Sequence, residues 1–212
     1  MKTEDLIRAL AADVIRPTVP LGRYVTGALL TGVVLALVVF IVTLHPRADL
    51  SEALRSPAFI YKLIVAFSLA ATAGALLPQV ARPLPIARSR RAILAVTPAL
   101  LLIGVSIELG VQPPPLWASR LVGHNAGHCL SLIPFLSVAP AMCLFFALRH
   151  GAAAQPVFAG AIAGLMSGGI GSLLYALTCP DDSPLFVATW YTIAVGMITS
   201  VTAYAGGRLL RW

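Results

Sequence analysis

The sequence predicts an all-α fold: a polytopic membrane protein in which a short amphipathic N-terminal helix precedes a six-helix transmembrane bundle. Two observations predict this class. Of the 212 residues, 58% are hydrophobic and only 11% are charged, whereas a soluble domain carries roughly 25% charged residues. In addition, six apolar stretches reach about 20 residues each, which is the length that a helix needs to cross a bilayer.

The first element is an amphipathic helix over residues 1–16, within a tail that comprises residues 1–21. Apolar side chains recur along one stripe at helical spacing, and acidic residues occupy the first turn, where they suit the helix dipole. The polar face mixes acids and bases, unlike the Lys/Arg-rich face of a membrane-surface helix. Composition alone therefore leaves lipid contact and docking in a partner's groove equally open. The candidate contact residues are Leu6, Ile7, Leu10 and Val14 on the stripe, with Glu4, Asp5, Arg8 and Asp13 beside it.

Six predicted spans follow the tail. They cover residues 22–44, 58–77, 92–110, 127–148, 156–177 and 185–207. The first apolar run is longer than the apolar region of a signal peptide, so we expect it to be an uncleaved span. The turns between the spans are short, and we therefore expect no soluble domain to be inserted in the bundle.

Three glycines in the fifth span repeat every four residues, at Gly160, Gly164 and Gly168. Small residues at this spacing let two helices approach each other closely. We expect this glycine ridge to serve packing within the bundle. A seam between two copies of the chain, which would make a homodimer, is the alternative.

Lys and Arg are distributed unevenly over the two ends of the predicted bundle. Eleven lie in the tail, the second and fourth turns and the C-terminus, and four lie at or near the first and third turns. Because loops rich in Lys and Arg stay in the cytoplasm, both termini are predicted to be cytoplasmic and the odd-numbered turns to face outward. The net charge of +7 is attributed to these cytoplasmic loops rather than to nucleic-acid binding.

Two of the three cysteines are predicted to lie on the outer side. Cys129 opens the fourth span, and Cys179 lies in the acidic turn before the sixth. Cys143 lies roughly 21 Å along the helix from Cys129, too far to pair with it. Spacing favours a structural disulfide over a redox or metal switch for the outer pair. The position of Cys129 at a helix N-terminus nevertheless favours thiolate chemistry.

The remaining side chains supply weaker candidates. His124 and His128 could join Cys129 and Cys179 around a soft metal ion, although this spacing matches no standard zinc pattern. Glu108 is expected to pair with Arg120 or to be solvated.

The sequence contains no Cys-x-x-Cys motif, phosphate loop or catalytic set, so an enzyme is not expected. A transporter or channel would need ionisable groups deep in the spans, which we do not find. It stays the alternative to a regulator, together with a structural subunit of a membrane complex.

The opening residues 1–13, the six short-turned spans and the two cysteine regions resemble the NrsF-type transmembrane anti-sigma factors. The cysteine regions are residues 129–134 and 179–186, the second of them followed by Trp190 and Tyr191. The resemblance implies a bacterial inner-membrane protein that holds an extracytoplasmic-function sigma factor inactive at the cytoplasmic face. It also implies that Cys129 and Cys179 take part in sensing oxidative or heavy-metal stress.

With this resemblance, we expect the tail helix to bind the sigma factor rather than lipid. Oxidation of the two thiols, or capture of a metal by them, would shift the bundle between two packings and release the partner. A signal can shift such an equilibrium only through its different affinity for the two states. The fourth to sixth spans carry both thiols and the glycine ridge, and they are the expected moving part.

Overall fold

In the computed structural model, residues 21–82, 87–151 and 153–210 are described, and every regular element within them is helical. The predicted tail helix lies outside the described residues. Six helices are long and apolar enough to cross a membrane, which confirms the predicted fold class. They are α1 (Leu21–Thr43), α2 (Pro57–Val80), α3 (Arg88–Val111), α4 (Ala126–Leu148), α5 (Pro156–Ala176) and α6 (Pro184–Leu209).

Local sequence accounts for where several helices begin. Pro57, Pro156 and Pro184 each occupy the start of a helix, where proline's fixed φ suits the helix and its missing N–H costs nothing. Two helices depart from regular α geometry. In α3, the first α-helical turn is followed by a 3₁₀ turn over Ala92–Ala95. Helix α6 contains a π-helical turn over Val187–Tyr191.

Helix α5 lies at the centre of the bundle. It packs against α2, α4 and α6, while α1 packs on α4 and α3 packs on α2. In the most apolar 18-residue stretch of each helix, 67% of the residues are buried in α5 but only 17% in α3. The outer helices therefore expose broad apolar faces, as expected of helices that meet lipid.

Successive long helices run in opposite directions, so alternate turns lie at opposite ends of the bundle. The turns at residues 44–56, 112–125 and 177–183 meet at one end, which we call the cysteine end. The opposite end, which we call the arginine end, carries Arg88, Arg90, Arg91, Arg149 and Arg208.

The glycine ridge is packed inside the chain. Gly160, Gly164 and Gly168 are buried and face α6, so close that a Cβ on Gly164 would lie 2.7 Å from the Cα of Thr199. The prediction of internal packing is confirmed. The alternative of a homodimer seam through these glycines is wrong, because α6 of the same chain already occupies the surface they leave.

We expect Gly164→Ala to destabilise the bundle, because the added methyl group would overlap Thr199 and Thr202 of α6. Overpacking of this kind costs about 1–3 kcal/mol. The measurement is thermal unfolding of the purified chain in detergent. The matched control is Gly196→Ala in α6, where a Cβ would meet no atom within 4 Å. Equal melting temperatures for the two variants would contradict the close α5–α6 contact.

Candidate functional site

The turn between α5 and α6, residues 177–183, holds the cysteine end together. We call it the cysteine loop because it contains Cys179. Side chains or backbone groups from α2, α3 and the two other turns at this end bind to it. Each contact joins residues that are far apart in the sequence.

Lys62, in the second turn of α2, is the most deeply buried contact of the loop. Its side chain has 0% exposure. The Nζ atom donates to the carbonyl oxygens of Cys179 at 2.8 Å and Asp181 at 3.2 Å, and it lies 2.5 Å from Oδ1 of Asp182. A buried ammonium without partners costs several kcal/mol. The loop therefore supplies the groups that allow this charge to stay inside the bundle.

Arg47 ties the first turn to the same loop. Its backbone N–H donates to the carbonyl of Leu177 at 3.0 Å, and its guanidinium donates to Asp182 at 2.9 Å. The guanidinium also binds both carboxylate oxygens of Asp49, which holds the pKa of that carboxyl at about 2. Asp182 is therefore shared between Lys62 and Arg47.

Asp181 ties the loop to the turn before α4. Its Oδ2 accepts hydrogen bonds from the backbone N–H of His124 at 3.0 Å, and from the backbone and side chain of Asn125 at 2.9 and 3.0 Å. Burial would raise the pKa of Asp181, but these hydrogen bonds outweigh it and hold the pKa below its ordinary value. Gly123 adopts a φ of +57° beside Phe186, where a Cβ would lie 2.5 Å from the ring. The conformation and the space both require glycine there.

Glu108, near the end of α3, joins α3 to the start of α6. Its carboxylate accepts from the hydroxyl of Ser183 at 2.7 Å and from the backbone N–H of Leu185 at 2.7 Å. It also accepts from Arg120 Nε at 2.6 Å. The predicted pairing of Glu108 with Arg120 is confirmed.

The two outer thiols lie in one apolar cluster. Cys129, in the first turn of α4, and Cys179 are both free and almost fully buried, at 0% and 1% exposure, among residues that include Ile133, Phe186 and Tyr191. The structure thus contains two buried thiols where spacing favoured a structural disulfide, and Cys129 is not open at the helix mouth. Burial raises the pKa of the Cys179 thiol, although the Lys62 ammonium acts in the opposite direction.

The other predicted candidates lie apart from this cluster. Cys143 is half-buried and lines a groove with Tyr24 and His150 at the arginine end. The side chain of His124 is 94% exposed, 3.8 Å from Asp181, and His128 is exposed. Across residues 21–82, 87–151 and 153–210, no group of three or more His, Cys, Asp or Glu side chains could hold a metal ion.

The predicted four-ligand metal site at His124, His128, Cys129 and Cys179 is therefore not assembled in this conformation. Adjacent helical residues point about 100° apart. As a result, His128 faces outward while Cys129 faces the core.

Sequence reasoning did not identify Lys62, Asp182 and Glu108 as a structural network. A signal for Lys62 existed, because a charged residue inside an apolar span requires a buried partner. The two neighbouring aspartates of the cysteine loop were among the five acids on that side, together with Asp49, Glu52 and Glu108. The backbone carbonyl groups that also bind Lys62 could not be predicted from the sequence, because every residue has one.

We expect Lys62→Met to destabilise the protein strongly. It keeps the length of the side chain but removes the donor to two loop carbonyls and one of the two cations at Asp182. Removing one partner of a buried ion pair costs about 3–5 kcal/mol, which lowers the melting temperature by roughly 10 °C for a chain of this size. Thermal unfolding in detergent measures the effect.

The control for this prediction is Arg55→Met. Arg55 is an exposed cation at the same end, with no ion pair to any described residue. A similar small shift for both variants would show that the buried network does not stabilise the fold.

Comparison with known proteins identifies the family to which this chain belongs. The model of the NrsF family, described as "Negative regulator of sigma F", matches residues 10–212. Anti-sigma-F factor NrsF of Caulobacter vibrioides is 33% identical over 215 residues, and probable anti-sigma-F factor NrsF of Azospira oryzae is 30% identical over 216 residues. Both alignments cover 100% of each chain. No solved structure matches significantly. The resemblance carried by the tail, the spans and the cysteine regions is thus confirmed, and the chain belongs to the NrsF family.

Proposed function

We propose that this protein is an anti-sigma factor of the bacterial inner membrane, which holds an extracytoplasmic-function sigma factor inactive at the cytoplasmic face. The observation that carries the proposal is the full-length similarity to the anti-sigma-F factor NrsF of Caulobacter vibrioides. This role is regulatory rather than catalytic. The described residues form six apolar helices with short turns, so partner binding falls to the tail, the turns and the C-terminus.

The orientation follows from the two ends of the bundle. Seven arginines lie at the arginine end of the described residues, since Arg23 and Arg82 join the five named above, and the tail and C-terminus add further Lys and Arg. At the cysteine end, Arg47, Lys62 and Arg120 are each held in an ion pair with a carboxylate. The positive-inside rule therefore supports a cytoplasmic arginine end with both termini, and a cysteine end that faces the periplasm.

The tail helix is the proposed binding element for the sigma factor. Its apolar stripe has the spacing of an amphipathic helix that lies in a groove of a partner, and it precedes the first residue of α1 on the proposed cytoplasmic side. The basic turn before α3 lies on the same side. Its arginines could assist binding, but their default role is to fix the orientation of the bundle.

We expect a chain that lacks residues 2–16 to insert in the membrane but to lose sigma-factor binding. A finer variant, Leu6→Ala with Leu10→Ala, removes two central side chains of the stripe. Because buried anchors of such interfaces contribute more than 1 kcal/mol each, we expect its affinity to fall more than tenfold. Co-purification of a sigma factor from the same genome, with quantified affinity, is the measurement.

Two controls separate the tail from other surfaces. Arg88→Gln with Arg90→Gln tests the basic turn and should retain most of the binding. Lipid contact as the role of the tail would predict the opposite pattern for the tail variants, namely normal sigma-factor binding with weaker membrane association. Retained binding by the truncated chain would overturn the docking proposal.

The two buried thiols are the proposed sensor. A two-electron oxidant in the periplasm, such as a peroxide, would take two electrons and two protons from Cys129 and Cys179. The S–S bond would form as the peroxide is reduced to water. A disulfide confines the two Cα atoms to about 4.4–6.8 Å, so the bond would join the cysteine loop to the start of α4. Soft heavy-metal ions would act on the same pair by binding both thiolates.

Sensing of this kind would reach the tail through helix α1. At the cysteine end, the residues that follow α1 bind the cysteine loop through Arg47 and through the carbonyl of His45, which accepts from Thr178. At its other end, α1 continues from the tail. It also packs along α4, which carries Cys129. A change in the loop would therefore act on α1 and α4 as well as on α5 and α6, and it would bias the bundle between two packings.

We expect Cys129→Ser with Cys179→Ser to abolish induction by peroxide or heavy metal while repression continues. Serine keeps the size of the side chain but can form neither the disulfide nor a strong bond to a soft metal. The readout is a reporter under a promoter that depends on the sigma factor, with the amount of membrane protein measured in parallel.

Cys143→Ser is the control and should respond as the unaltered protein does, because Cys143 lies outside the cluster that contains the other two thiols. Loss of repression together with degradation of the double variant would show that the pair is structural. A normal stress response from the double variant would exclude both thiols as the sensor.

A further inference from the structure

The two ends of the bundle differ in whether their cations have acidic partners. Within the described residues, the acidic side chains all lie at the cysteine end: Asp49, Glu52, Glu108, Asp181 and Asp182. The arginine end contains no acid in the same part of the chain. Arg23 and Arg149 are exposed there and form no ion pair with a described residue. An anionic partner for them has to come from outside the part of the chain that is described.

A groove of about 350 Å³ lies between α4 and α6 at the arginine end. This α4–α6 groove extends along α4 from Val138 to Arg149, which is about 16 Å at the helical rise and about half of the ~30 Å hydrocarbon core of a bilayer. Arg149 is the only charged residue in the lining. Thr202 also lines the groove, but its hydroxyl donates to the carbonyl of Ile198 within α6 at 2.9 Å.

A second groove of about 330 Å³ lies between α1 and α4. Arg23 and His150 line this α1–α4 groove, and Phe146 lines both grooves, so that its side chain forms a ridge between them. The rings of Tyr24 and His150 stack with their centroids 5.4 Å apart. This stack joins the start of α1 to the end of α4, and it brings the residues next to Arg23 and Arg149 together.

The depth and the openness of the α4–α6 groove favour a lipid over a soluble partner. Val138, Phe146 and Val201 of its lining are 46%, 60% and 64% exposed, so the groove opens to the side of the bundle. Its inner end lies at a depth that the acyl chains of lipids occupy and that a soluble protein does not reach.

The two arginines select the kind of lipid. A guanidinium group binds a phosphate through paired, charge-assisted hydrogen bonds, and basic groups at the cytoplasmic surface attract anionic lipids. A zwitterionic lipid would bring its own cation to a place that already has two and no acid among the described residues. Two apolar grooves beside one ridge, with an arginine in each, therefore suit an anionic lipid with two acyl chains.

We propose that the arginine end of α4 is a binding site for one anionic diacyl phospholipid. One acyl chain lies in each groove, on either side of Phe146, and the phosphate accepts hydrogen bonds from Arg149 and Arg23. Such a lipid would contact α1, α4 and α6 at the end of the bundle where the tail begins. The proposal rests on the membrane location of the bundle, and it requires neither the sigma factor nor the thiols.

The test is native mass spectrometry of the purified full-length chain in detergent, titrated with dioctanoyl phosphatidylglycerol or dioctanoyl phosphatidylcholine. The two probes have the same chains and differ in the charge of the headgroup. We expect one molecule of phosphatidylglycerol to bind saturably, at least about tenfold more tightly than phosphatidylcholine, because hydrogen bonds between charged groups are the stronger ones. Equal affinities for the two probes would overturn the proposal.

A third probe tests whether both grooves are used. Palmitoyl lysophosphatidylglycerol has the same headgroup and as many acyl carbons as the dioctanoyl lipid, but it carries them in a single chain. It can fill only one groove, so we expect it to bind more weakly. The same affinity for both lipids would overturn the placement of one chain in each groove.

The double variant Arg23→Gln with Arg149→Gln tests the phosphate contacts. Both side chains are exposed, so the fold should be kept, and the affinity for phosphatidylglycerol should fall more than about tenfold. Arg208→Gln is the matched control, because Arg208 is an exposed arginine at the same end that lines neither groove. Unchanged lipid affinity in the double variant overturns the proposal. A loss of sigma-factor binding in that case would assign the two arginines to the sigma factor instead.

A last pair of variants tests the α1–α4 groove. Gly27 lines this groove and a Cβ there would meet no atom within 4 Å, so Gly27→Leu should fill the groove without disturbing the bundle. It should lower the affinity for the dioctanoyl lipid to that for the lysolipid. Gly22→Leu is the control, since Gly22 is equally open on the same helix but lies outside the groove. Full affinity in Gly27→Leu, or an equal loss in both variants, would overturn the role of this groove.

Discussion

The burial of the Lys62 ammonium group is the constraint on which the cysteine end depends. A lysine inside an apolar helix is tolerated only if other groups solvate its charge, and here those groups all come from one loop. Two carbonyls must point inward and Asp182 must lie beside them, which leaves the backbone around Cys179 little freedom. The same carboxylate binds Arg47. A movement of this loop would therefore disturb α2 and the end of α1 at the same time.

This arrangement explains how a small chemical change could have a large structural effect. The carbonyl that binds Lys62 most closely belongs to Cys179 itself. A reaction at the sulfur of Cys179 is thus only a few bonds away from the group that solvates the buried charge. Packed interfaces of this kind change between discrete arrangements rather than deforming continuously, which suits a switch better than a gradual response.

The sequence was sufficient for the features that depend on local pattern. Apolar length predicted all six helices, and the four-residue spacing of Gly160, Gly164 and Gly168 predicted close packing, which the structure places against α6. The proximity of Glu108 and Arg120 in the chain predicted their ion pair. The network around Lys62 was not predictable in this way, since its partners lie 117 or more residues away and include backbone carbonyls, which have no sequence signature. The burial of Cys129 was missed for a related reason: its position in the helix was clear, but the loop and α6 that cover it were not.

The long separation between Lys62 and its partners also has a consequence for biogenesis. About 120 residues separate Lys62 from Asp182, and at a synthesis rate of 5–20 residues per second the second group emerges roughly ten seconds after the first. During that interval α2 has an uncompensated ammonium group. Because Lys62 lies in the second turn of the helix, its flexible side chain can extend to the nearby membrane surface and remain hydrated. The charge can then withdraw into the bundle once the cysteine loop has been translated, so the cysteine end cannot mature before residue 182 has emerged.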